Sequence, residues 1–184
     1  MRDYLIDTQT ISYWYDPSRP QHEAVVANIE SLRKQVESSE HRPRLLVSVI
    51  TLGEIEFGHR VNSSVDSDVQ SDYRKFVSEE LPVALEVSED ATIYFGEIRR
   101  RLFDKYAPGR KRKPKMRPEQ LIEPITSKEL GIQENDLWLC AQAVGHGMIL
   151  VTNDAMCRIR EVSQNMQPAL LIQNWAIPNT AKIE

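Results

Sequence analysis

The stretch from Glu134 to Asp154, ENDLWLCAQAVGHGMILVTND, constrains the fold more than any other part of this chain. Leu137, Cys140, Ala141 and Val144 recur at i, i+3, i+4 and i+7, the apolar stripe of a helix. Asn135 or Asp136 is expected to cap that helix, and Gly145 or Gly147 to end it. Met148 to Val151 then forms an apolar run of strand length with no polar alternation, the pattern of a strand covered on both faces. Thr152, Asn153 and Asp154 leave that strand at its carboxyl end, where ligands bind in open α/β sheets. A short helix–strand return of this kind can bring Asp136 and Asp154 together. Each aspartate alone is equally an ordinary helix cap or turn residue, so the weight falls on what else converges.

The rest of the chain repeats the pattern. Tyr4 to Ile6 predicts a strand ending at Asp7, with Thr8 capping a helix that carries Ile11, Tyr13 and Trp14. A long helix after Arg19-Pro20 is marked by Val25, Ile29, Leu32 and Val36, and closed by the polar run 37–40. Arg44 to Val49 predicts a second buried strand. Ser48 or Thr51 then starts the helix SVITLGEIEFGHRV, which sets Glu54 among Leu52, Ile55 and Phe57. A carboxylate in an apolar stretch needs water, a partner or a metal; on an exposed face it is simply a good helix former. Val69, Tyr73, Phe76 and Val77 mark another helix, VALEV a third strand, and Glu89 onward a helix buried through Tyr94, Phe95, Ile98, Leu102 and Phe103. After Asp154 come a short helix, AMCRIREV, and a last strand, ALLIQNW, with Trp175. Alternating strands and helices predict a mostly parallel sheet with helices on both faces. Right-handed crossovers would gather the strand carboxyl ends, Asp7 and Asp154 among them, on one edge.

The 184 residues suit a single domain. No apolar run approaches the ~20 residues of a membrane span, and MRDYLIDTQ lacks a signal-peptide core, so a cytoplasmic location without membrane contact is expected. Cys140 and Cys157 lie in apolar helical patterns outside any metal-ligand spacing, which predicts reduced structural thiols. From 107 to 131 the periodicity dissolves into prolines and glycines. Within it PGRKRKPKMRP concentrates Arg110, Lys111, Arg112, Lys113, Lys115 and Arg117 in a chain whose net charge is −4. An acidic body with one basic segment suggests local contact with a polyanion, or else a solvated loop.

If Asp7, Glu54, Asp136 and Asp154 meet, two charges ~4 Å apart repel by about 4 kcal/mol at an effective dielectric of 20. Such a cluster must bind protons or a hard cation, for which oxygen ligands suit Mg²⁺ or Mn²⁺. The segments LIDTQTISYW, VSVITLGEIEFG, ENDLWLCAQAV, LVTND and LLIQNWA resemble those of the PIN-domain nucleases, and within them the VapC-type toxins of bacterial toxin–antitoxin pairs. The resemblance runs from about Tyr4 to Trp175 and is weakest over 107–131, where such proteins are usually shorter. It implies a Rossmann-like α/β PIN fold, a mostly parallel central sheet sandwiched by helices, with 1–184 as one PIN domain. It implies an Mg²⁺- or Mn²⁺-dependent endoribonuclease that hydrolyses RNA phosphodiester bonds with a metal-activated water, a homodimer, and a cognate antitoxin. Carried over by motif, Asp7, Glu54, Asp136 and Asp154 become the catalytic and metal-holding acids, with Thr8, Thr152 and Asn153 orienting them. The basic residues 110–117 become the RNA-binding strip. The family's usual Asp-Thr-Asn reads Asp7-Thr8-Gln9 here, which keeps the carboxylate and lengthens the amide arm.

Two other functions remain compatible: a PIN fold that binds RNA or protein without cutting, and a nuclease for single-stranded DNA. An Asp-nucleophile phosphohydrolase would need a second Asp where Gln9 stands. His22, His41, His59 and His146 have no ligand or triad spacing and are expected at the surface or satisfied. Ser48 lacks nucleophile-elbow glycines and reads as a cap. Trp138 and Trp175 read as core or interface.

Overall fold

The computed structural model describes residues 2–36, 42–61, 67–107 and 116–178, with backbone alone at 35 and 36. Its elements are β1 (Tyr4–Ile6), α1 (Thr8–Tyr15), α2 (His22–Val36), β2 (Leu45–Ser48), α3 (Val49–Val61), α4 (Ser67–Glu80), β3 (Ala84–Leu85), α5 (Glu89–Tyr106), α6 (Glu134–Gly145), β4 (Ile149–Val151), α7 (Cys157–Ser163) and β5 (Leu171–Gln173). They divide between two compact units. The first holds Met1–Glu86, Met148–Asp154 and Ile172–Glu184; the second holds Val87–Gly147 and Ala155–Leu171.

The first unit is built on a five-stranded sheet of order β3-β2-β1-β4-β5. β1 pairs in parallel with β2 and β4, setting Ile6 opposite both Val47 and Val151. β2 pairs in parallel with β3. The apolar run predicted for β4 is wholly buried, as is β1, because parallel strands at the centre of a sheet have no wet face. β3 is shorter than the expected VALEV strand: Val83 and Val87 stay exposed and only Ala84 and Leu85 pair, as suits a sheet edge. Val25, Ile29 and Leu32 bury the stripe of α2 as expected; the 37–40 stop signal lies outside the described residues. Val69 of α4 is exposed, whereas Val77 is buried. Trp175 is fully buried against Tyr4, with ring centroids 5.2 Å apart.

In the second unit α5 packs on α6 and α7. α5 begins at Ser88, whose hydroxyl accepts from Ala91 N, and buries Ile98, Leu102 and Phe103. Phe95 stacks face to face on Trp138 of α6 at 3.8 Å. The other side of α5 carries an ion-pair ladder joining Glu97 to Arg100 and Arg101. α6 starts two to three residues earlier than expected. Gln133 is its N-cap, and Asp136 reaches back as the third helical residue to accept from Gln133 N at 3.2 Å. Cys157 also departs from expectation. It is exposed at the start of α7, because Met156 takes the buried position and meets the buried Cys140 sulfur at 3.5 Å.

Candidate active site

The strand order reverses at β1, whose neighbours β2 and β4 lie on either side of it. That is the switch point of an open parallel sheet, where the chain diverges beyond the strand ends and leaves a crevice. Asp7 is the first residue past β1. Its backbone N–H still bonds to Val151 O at 3.0 Å, so the ladder sets Asp7 beside Thr152 at the end of β4. Asp7, and not Thr8, is the N-cap of α1; Thr8 is the first helical residue.

Thr152 is fully buried and its hydroxyl serves two groups. It donates to Asp7 Oδ2 at 2.8 Å and accepts from Asp154 N at 3.0 Å, tying the ends of the two strands together. Thr8 Oγ1 donates to the Glu54 carboxylate, joining the start of α1 to the middle of α3. Asn153 Oδ1 accepts from Asn174 Nδ2 at 3.1 Å, past the end of β5. The hydroxyls assigned by resemblance as orienting groups therefore hold carboxylates of the set.

Burial pushes the Asp7 carboxyl above the usual carboxylate range; hydrogen bonds from Thr152 and from the Thr8 backbone oppose this, and the charges of Glu54 and Asp154 add to it. Asp7, Glu54 and Asp154 thus share one electrostatic neighbourhood. Asp136 belongs to the second unit, half-buried at the start of α6, where its charge also complements the helix dipole. Of the basic strip, Arg110, Lys111, Arg112, Lys113 and Lys115 lie outside the described residues; Arg117 is exposed at the cap of a short 3₁₀ turn over 118–120. Gln9 points to solvent.

Among the described residues no three Asp, Glu, His or Cys side chains close into a cage for a metal ion. Mg²⁺ seldom uses such a cage; one or two carboxylates, waters and substrate phosphates suffice. The all-oxygen donors around Asp7 fit that chemistry.

Next to Glu54 the first unit carries a pocket of about 530 Å³ that the sequence did not reveal. Thr8, Tyr15, Glu54, His59, Gln70 and Tyr73 border it. The periodicity of α4 marks Tyr73 as a core residue, and His59 reads as isolated; only the packing of α1, α3 and α4 turns them toward one space. The other histidines behave as expected where described: His22 Nδ1 bonds to Tyr13 O at 3.0 Å and His146 Nε2 to Ser88 Oγ at 3.1 Å.

Compared with known proteins, residues 4–163 match the family model described as the PIN domain. The chain belongs to the PIN domain family. None of the curated proteins matches the sequence. Among solved structures, VapBC2 from Rickettsia felis bound to a DNA fragment from its promoter is similar at 23% identity and a TM-score of 0.61, covering 94% of this chain and 98% of that one. VapBC from Salmonella typhimurium, also DNA-bound, reaches 19% and 0.57 over 95% and 99%. VapBC-1 from nontypeable Haemophilus influenzae reaches 18% and 0.58 over 94% and 97%. At these identities the likeness is one of fold, and it agrees with the α/β PIN architecture. PIN domains generally use divalent metal ions, in keeping with the acidic crevice.

Proposed function

We propose that this PIN protein is an Mg²⁺- or Mn²⁺-dependent endoribonuclease, the toxin of a toxin–antitoxin pair. One observation carries the reading: a half-buried aspartate at the switch point of a parallel sheet, in the field of Glu54 and Asp154 and held by the Thr152 hydroxyl and the Thr8 backbone N–H. In this reading Asp7, Glu54, Asp136 and Asp154 form the catalytic and metal-holding set, and both compact units are parts of one PIN domain, since the family match spans residues of each.

Thr152 fixes the Asp7 carboxylate by a hydrogen bond to Oδ2, and Thr8 fixes that of Glu54 in the same way. Asp154, exposed at the rim, accepts the proton of the attacking water or steers it. A bound Mg²⁺ or Mn²⁺ would supply Lewis-acid charge at the scissile phosphate and acidify a water molecule. The basic residues between Arg110 and Arg117 would bind RNA phosphates, which makes binding fall with salt. The VapBC neighbours motivate a cognate antitoxin as partner, and the family resemblance adds a homodimer to the reading. A cytoplasmic location follows from that role; for its part, no described helix is long and apolar enough to cross a membrane.

The test is cleavage of a panel of single-stranded RNAs, with matched DNAs, by the full chain. Cleavage of RNA alone that needs Mg²⁺ or Mn²⁺, stops with chelator and disappears in Asp7→Asn is the expected result. RNA binding without cutting would instead favour a binding module, and DNA cleavage a DNA nuclease. Cleavage that survives both chelator and Asp7→Asn would overturn the site.

A further inference from the structure

The pocket beside Glu54 has a composition that the chemistry of phosphodiester cleavage does not require. Its floor is aromatic: Tyr15 meets Tyr73 edge-on with centroids 4.8 Å apart, and His59 meets Tyr73 at 5.6 Å. Phe76 braces Tyr15 from behind at 5.3 Å, so the rings are fixed before any ligand arrives. Its polar lining residues are Glu54, Asp16, Ser12 and Gln70; the Asp16 carboxylate accepts from Ser18 and pairs with Arg19 at 3.2 Å, and the Gln70 amide donates to His59 O at 3.2 Å, so these groups are held in place. Burial, with Arg74 adding and Glu56 opposing, holds the His59 imidazole below its ordinary range, so it is neutral at neutral pH. Burial and the neighbouring Tyr15 push the Tyr73 hydroxyl up, so it stays a proton donor.

These properties select among the parts of a nucleotide. The Glu54 carboxylate disfavours a phosphate in this space, and the uncharged imidazole offers it no compensating cation. Fixed aromatic rings favour a flat π-system, as in single-strand binding sites. Carboxylate acceptors favour an edge that presents N–H donors. The volume, about 530 Å³, lies within the roughly 300–1,000 Å³ of small-ligand sites. Glu54 and Thr8 belong at once to this pocket and to the acid site, so a base seated here is attached to a phosphate at the carboxylates.

We propose that this pocket seats the base of the nucleotide adjoining the scissile phosphate and selects bases that offer amino and ring N–H donors, guanine before uracil, with Tyr15, Tyr73, His59 and Asp16 as specificity-determining residues. The assignment rests on the nuclease reading above and names the part of the RNA that its site reads. Gly58 lines the same space, and a Cβ built there meets no atom within 4 Å. There is therefore open space for a side chain at that position on the pocket wall.

Ligand-observed saturation-transfer NMR on the full chain, with chelator present, tests the pocket independently of cleavage. Guanosine 5′-monophosphate is expected to bind at least about ten-fold more tightly than uridine 5′-monophosphate. Binding should be lost in Tyr73→Leu and in Gly58→Leu, with Gly58→Leu keeping the wild-type circular dichroism and melting curve. Equal binding of both nucleotides, or of ribose 5-phosphate alone, overturns the proposal. So does capture of N-acetylarginine amide without the nucleotides, which would make the pocket a socket for a partner protein's guanidinium. In cleavage assays Gly58→Leu should lower kcat/KM about ten-fold more for RNA with guanine at the flanking position than for a uracil-substituted RNA. Selective guanine binding with no metal-dependent cleavage would sink the nuclease reading and keep the base pocket.

Discussion

Asp7 and Thr152 concentrate the chemistry of the first unit in two side chains. Thr152 is the more informative, because its one hydroxyl both donates to Asp7 and accepts from Asp154 N. Thr152→Val keeps the shape and removes both bonds. It should cost about 1–3 kcal/mol of stability and roughly 10–100-fold in metal affinity or activity, with Thr152→Ser recovering most of each; titration calorimetry and thermal melts would check this. For Asp7 the sign of its shift decides the pH behaviour. Its folded pKa is raised, so its protonated form favours folding; that contribution is present below the unfolded pKa of about 3.9 and is lost as pH rises through the folded value. Metal-free Asp7→Asn should therefore melt higher than the wild type at pH 7, the gap narrowing as pH falls toward about 4. A gap that is absent, or that widens on acidification, would contradict the buried-charge account.

At the scale of elements, helix stripes and buried strands were legible because burial imposes a period that residue types must match. Helix starts were less so. Thr8 and Asn135 are good caps by type, yet Asp7 and Gln133 hold those places, because a cap is defined by where the chain turns and not by the hydroxyl or amide it carries. Met156 displaced Cys157 from the buried position of α7 for a similar reason: one residue of shift at a helix start rotates the face by about 100°. Asn28 of α2 carries no sign of its role in the local sequence. It is fully buried, and its Nδ2 donates to Trp175 O at 3.1 Å and Ile177 O at 2.8 Å, pinning the segment after β5 onto α2. Asn28→Ala leaves two carbonyls without their donor and should destabilise by about 1–3 kcal/mol, read in a urea melt as a lower midpoint. A residue 147 positions away in the chain gives no local sign of such a bond.

For the whole molecule, an equilibrium between metal-free and metal-bound chains should be visible in stability. At a metal concentration about 100-fold above Kd, binding adds about 2.7 kcal/mol, a rise in Tm of roughly 5–10 °C for a chain of this size. Differential scanning calorimetry with and without Mn²⁺ checks it, with Asp7→Asn expected to show no such rise. By itself the sequence determined the α/β class, the parallel sheet and the acids that end its strands, because alternation of strand and helix periods and short polar strand ends are local properties. Only the tertiary structure decided that Asp7, Glu54 and Asp154 act on one another, that Thr152 bridges two strand ends, and that Tyr15, His59 and Tyr73 enclose one space. Those facts depend on strand register and helix packing, which bring residues far apart in the chain within a few ångströms, and no local pattern encodes that meeting.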